Sequence, residues 1–336
     1  MRILICFSIL ITLFSCTGKN EKPDVSGIKV NINTLRFEKA LFNPNNNLND
    51  KNIDTTFAAF GSFGPFFINT LLNADPTWSE DTMKNYVASF VSSYKNVFDT
   101  AEKIFHDFTP YENEIKKSLQ YLKYYFPNYK APSKIISYIG PLDGYGDIIT
   151  EDALIVGLQH HLGKDVSFYK QDWFQETYPS YIYSRFEPEY ISINCMKNII
   201  NDMYPDDKIE YALGIQMVEA GKKLFVLEKL LPDAESYRLI GYTEEQWEGC
   251  VEHERAIWDL FIQNDLLQSI DKNIIKNYLG ESPKTQELGE SSPGNIGAFA
   301  GWQIVKKYMK KFPEIKPDVL MNTDAEKILQ LAKYKP

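Results

Sequence analysis

Few side chains in this 336-residue chain could make or break bonds, and their spacing narrows the choice further. Histidine occurs only at His106, His160, His161 and His253. His160 and His161 are adjacent at the end of an apolar run that reads as a strand. Their side chains should therefore point apart, at the surface or rim, and not share a metal ion. His253-Glu254-Arg255-Ala256-Ile257 opens like the zinc-protease pattern H-E-x-x-H, but Ile257 stands where the second imidazole belongs. No G-x-S-x-G elbow, P-loop or C-x-x-C occurs. Carboxylates are numerous, yet spacing alone brings no two of them together across a cleft. Glu219 stands apart from the rest, because it shares a helical row with Ala212, Ile215 and Val226 beside an apolar face. A carboxylate there is expected to be partly buried and to need a partner, which Lys222 or Lys223 can supply at helical spacing.

The element that must position such groups is the stretch from Ser291 to Met309. Ser292 is a candidate helix cap and Pro293 a candidate first residue, where a missing N–H does no harm. At 100° per residue Gly294, Gly297 and Gly301 fall on one face, continued by Ala298, Val305 and Tyr308. Each interior glycine costs roughly 1 kcal/mol of helix propensity, so three on one face predict another backbone passing very close. A ligand at the glycine-rich start is the weaker reading, since no glycine run is arranged there to cradle phosphate.

Elsewhere the periodicity predicts a helix-rich α+β fold. Ile28, Val30 and Ile32 alternate as a first strand, and Lys134–Ile139 and Ala153–Leu158 read as two more. Phe57, Phe60, Phe63, Phe66 and Phe67 read as core packing. Thr77 or Ser79 caps a helix with Met83, Tyr86, Val87, Phe90, Val91, Tyr94, Val97 and Phe98 on one side. Further helices are expected over 112–126, 192–203, 207–231 and from Thr243, with a last one from Asp324. The sheet is thus small and flanked by helices, with an α/β part to about residue 180 and a helical part over 181–336. The Asn-rich stretch 43–52 reads as a surface loop.

Hydrophobic residues make up 44% of the chain, ample for a substantial core, and the net charge is −9 without a basic stripe. Nucleic acid is therefore not an expected partner. Residues 1–15 carry Arg2 and an apolar run from Ile3 to Phe14, the length of a signal-peptide core and short for a membrane span. Leu13-Phe14-Ser15-Cys16 matches a bacterial lipobox, which makes Cys16 the expected acylation site. Several acyl chains, at roughly 0.8 kcal/mol per buried CH₂, would anchor the protein to a membrane permanently. Residues 16–27 read as a polar tether and 28–336 as one globular domain. Of four cysteines only Cys195 and Cys250 lie beyond residue 16, as a possible disulfide or two buried thiols.

Several segments together resemble the gliding-motility lipoprotein B (GldB) family of Bacteroidetes. They are the Ser15-Cys16 lipobox, Arg36-Phe37-Glu38 with Leu41-Phe42, and Gly157 to Tyr169 around Leu162-Gly163-Lys164-Asp165. Phe186-Glu187-Pro188-Glu189-Tyr190-Ile191, Gly241-Tyr242-Thr243-Glu244-Glu245-Gln246, Ser292-Pro293-Gly294 through Met309 and Lys333-Tyr334-Lys335-Pro336 complete the set. That family in turn resembles gluzincin-type zinc peptidases, in which a helix bearing H-E-x-x-H precedes one bearing a third ligand. With Glu219 as that third position, Cys195, Met196 and Ile199 occupy the places of the histidine, the general base and the second histidine. Isoleucine cannot ligate and methionine cannot activate water, so the implied body is peptidase-like but metal-less, with no metal and no cofactor. The resemblance implies a non-enzymatic lipoprotein of the cell envelope, on the periplasmic side of the inner or outer membrane. It would support gliding or the associated secretion machinery through contacts with other envelope proteins. The expected partner or ligand groove involves Glu219, Cys195, Ile199, Gly294, Gly297 and Gly301. A residual carboxylate or metal-dependent hydrolase and a small-molecule-binding lipoprotein are the alternatives.

Overall fold

The computed structural model describes residues 22–43, 50–206 and 210–336. The expected signal peptide and Cys16 lie outside the described residues, as does most of the Asn-rich stretch. Four strands make one sheet: β1 (Asn33–Arg36), β2 (Lys134–Tyr138), β3 (Ile148–Ile149) and β4 (Ala153–Gly157). Their order is β1-β2-β4-β3, with β1, β2 and β4 parallel and β3 antiparallel. β2 and β4 are nearly continuous apolar runs, which suits strands covered on both faces, and both are buried. Seventeen α-helices occur beside this one small sheet among the described residues, so the fold is helix-rich α+β.

The expected first strand over Ile28–Ile32 is displaced. The ladder begins at Asn33, opposite Lys134, the first residue of β2. Ile28 instead turns back, its N–H on the Val25 carbonyl and its own carbonyl accepting from Gln120 Nε2. The position of the partner strand, not the local alternation, sets where β1 starts. Arg36 and Glu38 then bind each other at 2.6 Å, while Ser137 on β2 donates to Glu38 and Arg36 donates to the Phe105 carbonyl. Phe37 between them gathers the rings of Phe57, Phe60, Phe63 and Phe67 at centroid distances of 4.8 to 5.9 Å. The aromatic stripe is core.

Ser79 accepts from Thr82 N and opens the helix Glu80–Ser93, which stops at Tyr94 and restarts as Lys95–Phe105. Thr243 and Gln246 form a reciprocal capping box at the start of Glu244–Glu252, and the chain breaks at His253 before Glu254–Gln263. Three helices matter most below: a cleft helix (Tyr190–Met203), a central helix (Leu213–Leu230) and a glycine helix (Ile296–Lys311).

The central and glycine helices cross backbone to backbone. A Cβ on Gly301 would overlap the Met217 carbonyl, and one on Gly221 would overlap the Gly301 carbonyl. The close passage expected from the glycine face is therefore present, with Gly221 as its partner. The expected start of that helix is corrected. Asn295, in the left-handed region at φ 55°, precedes the first helical residue, so Ser292, Pro293 and Gly294 lie outside it. Ser292 Oγ instead accepts from Thr285 N at 3.1 Å and reaches the carbonyls of Thr285 and Gly289. Its hydroxyl ties a loop rather than capping a helix.

Candidate functional site

An open cavity of about 940 Å³ lies between the cleft helix, the central helix, the start of the glycine helix and the chain over 321–326. Apolar lining comes from Ile200, Leu224, Leu239 and Ile240, and charged groups are set among them. Their pairing follows from where each helix places them. Lys222, fully buried on the central helix, donates to the carbonyls of Met321 and Thr323 and pairs with Glu219 at 2.8 Å. Lys223 reaches across to Asn201 and Asp206, at 2.9 and 2.6 Å. Arg185 makes a bidentate pair with Glu281 at 3.0 and 3.2 Å. Its side chain crosses Gly241, whose φ of +86° suits glycine and where a Cβ would come within 2.9 Å of the Arg185 Nη1.

The sequence-predicted groove residues do not all meet here. Glu219 lines the cavity, partnered by Lys222. Cys195 and Ile199 are buried on a different side of the cleft helix from Lys197, Ile200 and Asn201, which face the cavity. Glu219 thus lines the cavity, whereas Cys195, Met196 and Ile199 do not. Among the described residues no three His, Cys, Asp or Glu side chains are placed to hold a metal ion. Cys195 and Cys250 are separate buried thiols, and burial pushes both up, Cys250 to about 12. Gly294 lines a second cavity of about 310 Å³ with Pro293, Arg238 and Tyr242. Gly297 sits under the Tyr278 carbonyl and Met217, so it and Gly301 serve the packing of helices.

Two features were not anticipated. The first corrects the placing of His160 and His161 at the rim, since both are buried. A 3₁₀ turn over Leu158–His160 follows β4 and carries both rings inward. His161 Nε2 lies 2.8 Å from Asp147 Oδ2 and Nδ1 lies 3.0 Å from the Glu187 carbonyl. Asp147 also accepts from Asn194 Nδ2 and from Gly157 N. Burial opposes a charge on His161, but the Asp147 carboxylate and the hydrogen bonds outweigh it and raise the pKa. Both ring nitrogens face acceptors, so the ring is best held as an imidazolium. His160, stacked 4.5 Å from Phe186, is the reverse: burial lowers it to about 4.

The second is Lys197, which enters the cavity from the cleft helix. In sequence it shares a helical row with Ile193 and Ile200, so a lysine interrupting an apolar row was its only signal.

Fold and cavity together define a helix-rich α+β protein with a large open groove whose lining carries several ion pairs. A family model described as "Gliding motility protein GldB" matches residues 18–336, so the chain belongs to the GldB lipoprotein family. Membership implies a role in gliding motility and suggests membrane anchoring. No curated protein and no solved structure matches the chain. Among the described residues no helix is long and apolar enough to cross a membrane.

Proposed function

We propose that the protein is a lipid-anchored, non-enzymatic component of the cell envelope. It supports gliding, or the secretion coupled to it, by binding another envelope protein. The groove receives a segment of that partner. Anchoring rests on the lipobox at Cys16. The peptidase-like ancestry of the scaffold rests on sequence resemblance and belongs to this same proposal.

The observation that carries the reading is the groove itself. Its volume of about 940 Å³ is large, its walls mix apolar and charged side chains, and its helices are fixed by Lys222, Lys223 and a glycine crossing. A preformed groove loses little ordering entropy on binding. Glu219, one of the carboxylates in its lining, is paired with Lys222.

Photo-crosslinking tests the proposal. A photoreactive residue replaces Ala220 in the groove, or exposed Ile262 as control, in the membrane-borne protein. A discrete adduct with an envelope protein is expected from position 220 and not from 262. Absence of any adduct at 220 removes the reading. Small-molecule binding is a second reading, supported by a volume within the range of ligand pockets. An adduct-free protein whose melting temperature rises with a defined metabolite would establish it instead.

A further inference from the structure

The charges around the groove are almost completely accounted for. Arg185 is held by Glu281, Lys222 by Glu219 and two carbonyls, and Lys223 by Asp206 and Asn201. Asp324 caps the last helix, Ala325–Ala332, and Glu326 accepts from Gln330. Among the described charged residues lining the groove, Lys197 alone has no hydrogen bond or ion pair. It is partly buried, its neighbours in the lining include Ile200, Leu239, Ile240 and Leu279, and Arg185 is the nearest charge of like sign.

The Lys197 side chain is half-buried among apolar neighbours while its ammonium opens onto the cavity, with no counterion in bonding distance among the described residues. Burial and Arg185 together lower the Lys197 pKa to about 8, against a weaker pull from Glu281. At neutral pH the group is still mostly charged, so the groove presents a cation with which no carboxylate among the described residues makes an ion pair. The exposed outer lining is of the other sign, with Asp206, Asp324 and Glu326. A polyanion would be repelled there, while one negative group carried inward on an apolar body would be accepted.

We propose that Lys197 is the anchoring cation of the groove, and that its occupant is a peptide segment placing one carboxylate, framed by apolar side chains, against the Lys197 ammonium. Neutral or basic residues of that segment meet the acidic rim. This inference rests on the groove being a partner site, as proposed above.

The test uses the full chain in detergent micelles and blocked heptapeptides with apolar residues around a central Glu, Gln or Lys and a lysine at each end. A fourth peptide, with central Gln and a free C-terminal carboxylate, separates a side-chain carboxylate from a chain end. A charge-assisted hydrogen bond is worth about 1.5–3 kcal/mol, so tenfold or more in Kd should separate the Glu from the Gln peptide. The preference should persist in Lys197→Arg, vanish in Lys197→Met and weaken as pH rises through about 8. Lys197→Met should also raise the melting temperature, because an unpaired charge becomes an apolar side chain of similar length. Equal binding of the Glu and Gln peptides, a preference that survives Lys197→Met, or no binding at millimolar peptide would overturn the inference. The adduct at position 220 keeps the two proposals apart. If it forms undiminished in Lys197→Met, Lys197 is not the anchor but the groove remains a partner site. If it never forms, both fall.

Discussion

His160 and His161 are neighbours in the chain with opposite responses to pH. The native state of His161 holds its proton above the unfolded value of about 6.5. The stability this contributes is complete below that value and is lost as pH rises through the raised folded pKa. His160 has a folded pKa of about 4, so between about 6.5 and 4 the unfolded chain takes up a proton that the native site refuses. Stability therefore falls on that side as pH drops, by at most about 3 kcal/mol. The charges facing these rings are those of Asp147 and Asp143, and the two histidines also face each other. Urea unfolding across pH should show that His161→Gln flattens the alkaline limb and His160→Gln the acid limb. The first substitution should also cost about 3 kcal/mol near neutrality, because it strands the buried Asp147 carboxylate. Unchanged slopes in both variants would show that neither ring is protonated as described.

At the scale of elements, the molecule depends on one crossing. The central and glycine helices approach until Gly221 and Gly301 meet main chain, leaving no room for a methyl group on either. Gly301→Ala must push the helices apart and should lose about 3 kcal/mol or more. Gly249 provides the contrast. It lies within Glu244–Glu252 with nothing within 4 Å of an added Cβ, so Gly249→Ala should gain up to about 1 kcal/mol in propensity. Thermal denaturation of the two alanine variants checks both signs. The same crossing fixes the groove walls, so Gly301→Ala should also weaken the adduct formed at Ala220. Other segments behind the family resemblance act as fasteners of this kind. Arg36 and Glu38 pin β1 to β2, Thr243 and Gln246 cap a helix, and Tyr334 hydrogen-bonds Glu254 near the end of the chain.

Over the whole molecule, the chain is already seated on the body at Lys22. Lys22 and Lys117 both pair with Asp233, at 2.5 and 2.7 Å, and Val25 is buried, earlier than the domain start expected at residue 28. Only five residues separate Cys16 from Lys22, a reach of about 20 Å at most over six residue steps. Asp233 lies just past Leu230, the C-terminal end of the central helix, whereas Ser269 bonds Leu213 at the other end. That helix has 18 residues and spans about 27 Å. Lipid on Cys16 would therefore hold the Asp233 end toward the bilayer. Fluorophores placed by Lys117→Cys and Ile270→Cys should be quenched unequally by lipid-borne quenchers, with position 117 the stronger. Cys16→Ser should release the protein into the soluble fraction, and equal quenching at both positions would exclude this orientation.

Composition and periodicity were enough to place most helices, the small sheet, the aromatic core and the close approach at Gly301. Those features come from local spacing and side-chain volume, which a chain displays before it folds. Helix starts were less legible: Ser292 looked like a cap until a loop nearby claimed its hydroxyl. Which polar groups meet was decided by the tertiary structure alone. Arg185 finds Glu281 and Lys222 finds the Met321 carbonyl across roughly a hundred residues, and His161 finds Asp147 only because a turn carries it inward. Lys197 is the limiting case, because a charge is unpaired only with respect to everything around it, and those surroundings exist only once the chain has folded.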